Sequence, residues 1–130
     1  MRYILLLLLL SSCSNFAPPF DTNVNAKLAE IKTNAMDMKK ECLLNTVSSD
    51  MIHDRLEIQA MTLQAMVSYR DSHTAIAANG IWKEITSFET RIQIQAINAK
   101  QPHISPTYCK DKLNDIVLTV NAIMKPYGTL

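Results

Sequence analysis

The chain has 130 residues, with 13 lysines and arginines against 12 aspartates and glutamates. So small an imbalance, without a basic cluster, gives no electrostatic case for nucleic acid or for an acidic lipid surface. Two glycines, 6% aromatic residues and 48% apolar residues describe one small helix-rich domain.

The first element is a leader. Met1, Arg2 and Tyr3 form a charged start, and Ile4 to Leu10 form an apolar run. That run is far short of the ~20 residues a membrane-spanning helix needs, so it reads as a processed export signal. It closes on Leu10-Ser11-Ser12-Cys13, which matches the lipobox of bacterial lipoproteins. The expected chemistry puts a diacylglycerol on the Cys13 thiol, cleaves before it, and acylates the amine so exposed. An ordinary signal peptide that happens to precede a cysteine is the plainer alternative. Removal of residues 1–12 takes away Arg2 and leaves 12 basic against 12 acidic residues, so attachment to a membrane would come from the acyl chains. Ser14, where enteric lipoproteins held in the inner membrane tend to carry Asp, favours sorting to the outer membrane. Residues 13–25, with Pro18, Pro19 and several asparagines, read as the lipidated N-terminus and a flexible tether to a domain over 26–130.

With Cys13 committed to lipid, two cysteines remain, Cys42 and Cys109. In a compartment that oxidises thiols they are expected to pair, the alternative being two buried free thiols. Closing so long a loop stabilises by about 4 kcal/mol on the chain-entropy model, a large share of a small domain's margin.

Four helices are expected. In the first, about Thr22 to Leu44, Val24, Leu28, Ile31, Ala35, Met38 and Cys42 alternate spacings of four and three and share one stripe. Ser48, Ser49 and Asp50 offer N-caps for the second, with Ile52, Leu56, Leu63 and Val67 as its main stripe. Met51, Ile58, Met61 and Ala65 make a surplus stripe on a neighbouring face. This helix is expected to reach Ala78, with a bend near Ser72-His73, and to stop at Asn79-Gly80. Trp82 would open the third, with Ile81, Ile85, Phe88 and Ile92 inward and Ile94 and Ile97 off that face. The alternation from Ile92 to Ala96 suits a strand, but an isolated strand has no partner here, so helix is preferred. Pro102 and Pro106 bracket a loop. The fourth helix, about Thr107 to Met124, carries Cys109, Leu113, Ile116, Val120 and Ile123 at the same four-three spacing, and Pro126 with Gly128 ends it. The expected fold is all-α, an up-down four-helix bundle with one disulfide joining helices one and four.

Enzyme chemistry finds little footing. There is no HExxH, Gly-rich phosphate loop or nucleophile elbow, and His53, His73 and His103 read as isolated, solvated or capping side chains. No metal or cofactor is expected. Met36 and Met38 are two apart and so do not share a helical face. Met36, Met38, Met51, Met61, Met66 and Met124 are many for so small a domain. Adaptable core filling explains them, and so does a plastic groove for a partner's apolar helix.

These residues resemble the type II secretion pilotins of the PulS/OutS kind. The resemblance is carried by Leu28-Ala29, Met38-Lys39-Lys40-Glu41-Cys42, Gly80-Ile81-Trp82, Cys109-Lys110-Asp111-Lys112-Leu113-Asn114 and Ile123-Met124, in order over most of the mature chain. The stretch between Cys42 and Trp82 is longer than the family pattern. The resemblance implies an outer-membrane lipoprotein facing the periplasm, with a four-helix fold and one disulfide between first and last helices. It implies that the partner is the C-terminal segment of a secretin subunit, disordered when free and helical when bound. Through lipoprotein sorting, the anchor would carry that complex to the outer membrane. A groove between helices one and three is implied, with Leu28 and Ile31 as one wall, Phe88 and Ile92 as the other, and Ile58 and Met61 bordering it. A plasmid- or phage-type exclusion lipoprotein that blocks a receptor needs the same anchor and is the alternative. A periplasmic haem or metal carrier is a third reading, without a paired set of axial ligands to support it.

Overall fold

A computed structural model describes residues 22–69, 72–98, 100 and 103–124. The leader, Cys13 and most of the tether lie outside the described residues, as do Pro126 and Gly128. Among the described residues there are helices and no strands: α1, Thr22–Leu43; α2, over 49–67; α3, Ser72–Ile97; and α4, Pro106–Met124.

α1 buries Val24, Leu28, Ile31, Ala35, Met38 and Cys42, the whole of its four-three stripe. Its end is set by Asn45, whose φ of 55° lies in the left-handed region. The Thr46 N–H donates to the Glu41 carbonyl at 3.1 Å and the Asn45 N–H to the Cys42 carbonyl at 3.3 Å. This is a Schellman closure with asparagine in the place glycine usually takes.

α2 starts on Ser48, whose hydroxyl accepts from the Met51 N–H at 3.2 Å. Its first turn, Ser49–Ile52, passes into a π turn over His53–Glu57 and returns to α geometry over Ile58–Val67. The reason lies in the buried set Ile52, Leu56 and Ala60. Spacings of four drift about 40° per step around an ideal α-helix, and one wider turn brings such residues back into line. Asn34 of α1 braces this turn by donating its Nδ2 to the Arg55 carbonyl at 2.8 Å. Lys27 of α1 donates to Gln59 Oε1 at 2.6 Å just beyond it.

α2 therefore ends at Val67 rather than Ala78, and α3 opens at Ser72 rather than at Trp82. Asn79 and Gly80 do not stop a helix; they lie inside α3. A helical glycine costs only about 1 kcal/mol relative to alanine, and burial of Ala78, Ile81 and Ile85 around it outweighs that. Asn79 Oδ1 accepts from Gln64 Nε2 at 3.1 Å, so it ties α3 to α2 where a cap was expected. Phe88 and Ile92 continue the buried stripe, and Ile94 and Ile97 are exposed. The helix preferred over a strand at 92–96 is present.

α4 is started by Ser105, whose hydroxyl accepts from the Tyr108 N–H at 3.1 Å, with Pro106 in the first helical position where its missing N–H has no consequence. It buries Cys109, Leu113, Ile116, Val117, Val120, Ile123 and Met124. α1 packs most extensively on α4 and also against α2, while α3 packs on α2 and α4. The backbones of α1 and α3 do not approach closely, and their buried side chains share one core.

Candidate functional site

Cys42, in the last turn of α1, and Cys109, in the first turn of α4, form a disulfide with Cα atoms 5.7 Å apart. It joins the first and fourth helices at core positions, since both residues are buried. Lys39 Nζ donates to Asn114 Oδ1 at 3.1 Å along the same pair of helices.

The residues expected to wall a groove are distributed differently. Leu28, Ile31 and Phe88 are 0% exposed, so they are core side chains and not the sides of an open channel. α2 and α4 each pack on both α1 and α3, which covers these side chains. Ile92, at 7%, retains a small outlet. Ile58 and Met61 are 42% and 51% exposed on α2 and do not line the cavity described next.

Ile92 instead lines a cavity of about 190 Å³ beside the disulfide. The end of α1 supplies Cys42, α3 supplies Ile92, Gln95 and Ala96, and Val47 and Ile104 come from the connections before α2 and α4. Gln95 is buried at this place and His103 stands exposed at its edge. A drug-sized ligand needs ~300–1,000 Å³, whereas an apolar cavity of ~150 Å³ accepts a benzene ring. Asn45, Ser48 and Ser49 line it as well, so the cavity has room for one side chain against a wall of mixed polarity. The same two helix ends carry Leu43, Leu44, Ile94 and Ile97, all exposed.

A second constellation lies where α2 meets α3. His53 is not isolated: its Nδ1 lies 2.9 Å from Glu57 Oε2, and Glu89 of α3 completes a trio whose ligand atoms all lie within 4.8 Å. Burial, then the hydrogen bond with Glu57 and that residue's charge, pushes the Glu89 carboxyl up to about 7. The hydrogen bond from Glu89, and then that from His53, holds Glu57 below its usual range. Glu57 thus keeps its charge more readily and Glu89 its proton. The hydrogen bond to Glu57 raises the His53 imidazole. The His53-x-x-x-Glu57 spacing was visible in the sequence, whereas Glu89 arrives only through the packing of α3 on α2.

No family model, curated protein or solved structure matches this chain.

Proposed function

We propose that the chain is an outer-membrane lipoprotein of pilotin type that binds the C-terminal segment of a secretin. The observation that carries this reading is the cavity walled by Ile92 between the ends of α1 and α3, beside the staple joining α1 to α4. In it the helices alternate up and down, so that the end of α1, the end of α3 and the start of α4 meet at one end of the bundle. A disordered segment that folds into a helix on binding pays an ordering cost of ~2–5 kcal/mol, which buried apolar anchors must exceed. One large anchor in the cavity, with further apolar contacts on the exposed Leu43, Leu44, Ile94 and Ile97, is suited to that task.

The lipobox at Cys13 supplies the other half of the function, because a pilotin must itself be sorted to the membrane where its cargo assembles. No helix among the described residues is long and apolar enough to cross a membrane. In this reading Leu28, Ile31 and Phe88 hold the fold rather than the partner, and Ile58 and Met61 are peripheral. Co-purification of the tagged protein with the secretin of its own cell tests the proposal. Recovery of the secretin only when its C-terminal segment is intact is expected.

A further inference from the structure

The sequence reading expected no metal, yet three ligand-bearing side chains converge where α2 meets α3. We propose that His53, Glu57 and Glu89 bind a divalent transition-metal cation, zinc being the best match to their donors. His53 and Glu57 lie four apart across the π turn, on the side that faces α3, and their polar atoms are 2.9 Å apart. Glu89 reaches the same point from α3, within 4.8 Å. A tetrahedral zinc ion with bonds of ~2.0–2.2 Å spaces its ligand atoms about 3.3–3.5 Å apart. Small rotations of exposed or half-exposed side chains achieve that spacing without moving either helix.

An ion at this place would meet two carboxyls and one imidazole, with Asp50 adding a further negative charge nearby. The His53 imidazole acts on both carboxyls. A bound cation would take the place of the protons on this cluster, so binding should tighten as pH rises. One imidazole nitrogen beside two carboxylate oxygens favours zinc and similar first-row ions over magnesium or calcium, which prefer oxygen alone. His53 remains 49% exposed, so a bound ion would keep water in its open position. The turn itself is held from behind by the Asn34 hydrogen bond to the Arg55 carbonyl, which limits the freedom lost on binding.

A metal here would clamp the π turn of α2 to α3, independently of any docking at the cavity. The test is calorimetry of the chelator-stripped full chain with zinc chloride, with magnesium chloride in parallel. One zinc per chain is expected, together with a rise in Tm, because the ligands come from two helices. His53→Ala and Glu89→Gln should each weaken zinc binding about tenfold or more, with unchanged helicity by circular dichroism. His73→Ala, which removes a histidine 16 residues before Glu89 on α3, should leave it unchanged. Absence of saturable zinc binding overturns the proposal, as does His53→Ala binding zinc as tightly as the wild type.

Discussion

Asn34 on α1 donates its side-chain amide to the backbone carbonyl of Arg55, inside the π turn of α2, at 2.8 Å. A wide turn leaves its carbonyls less well served than an α-helix does, and this bond secures one of them from a neighbouring helix. Asn34→Ala is expected to cost about 0.5–1.5 kcal/mol in urea unfolding. It should also speed amide hydrogen exchange across residues 53–58 more than across α4. Uniform acceleration throughout the domain would assign the bond no local role.

The staple carries a larger effect. Cys42 and Cys109 are separated by 67 residues in the chain, so the paired Cys42→Ala and Cys109→Ala variant should lose about 2–5 kcal/mol. Thermal unfolding of that variant, beside the oxidised wild type, measures the loss. Equal Tm values would mean that the disulfide adds nothing to this core.

The seams of α1 and α4 and the pairing of Cys42 with Cys109 were legible because the buried positions, apart from Val117 and Met124 beside the α4 stripe, follow one four-three alternation. The boundary between α2 and α3 was not. Asn79-Gly80 carries the letters of a helix stop, but local preference worth about 1 kcal/mol yields to burial of the flanking Ala78 and Ile81. The true end at Val67 is followed by Ser68 and Tyr69, neither of which announces a break. Ile52, Leu56 and Ala60 announced the π turn by two successive spacings of four, a signal that is easily read as ordinary helix. Leu28, Ile31 and Phe88 read as groove walls and lie in the core of the free chain, because periodicity marks a side chain as apolar-facing without saying whether another helix covers it. The cavity and Glu89's place in the trio depend on tertiary packing and leave no local mark.

Glu84, partly buried on α3, accepts from the Thr119 hydroxyl at 3.3 Å. Its carboxyl is raised, first by burial and then by Asp115, against the opposing effects of Thr119 and Lys112. A carboxyl raised on folding binds its proton more tightly in the native state. Its contribution therefore favours folding most below the ordinary glutamate value of about 4.3, and declines as pH rises through the raised value. Glu84→Gln should remove that decline, so the stability difference between variant and wild type should grow from pH 4 toward pH 7 in the variant's favour. Denaturant unfolding at a series of pH values measures it. A difference independent of pH would contradict the assignment.

Cys13→Ser should abolish acylation and move the protein from membrane to soluble fractions, because the acyl chains are the proposed anchor. Fractionation together with intact mass checks this. A variant that stays with the outer membrane, and a wild type without an acyl mass, would remove the anchor from the account.

The claim that this chain holds a secretin segment at its stapled end is tested most directly by filling the cavity. Ala96 lines it and is exposed on α3, so Ala96→Phe occupies the space without disturbing the core. Leu28→Ala, a core truncation costing about 2–5 kcal/mol, is the stability control. Titration calorimetry with the C-terminal peptide of the cell's own secretin should show binding by wild type and about tenfold weaker binding by Ala96→Phe, a loss of ~1.4 kcal/mol. Leu28→Ala, at temperatures where it remains folded, should bind nearly as wild type does. No detectable binding by wild type, or undiminished binding by Ala96→Phe, would contradict the account.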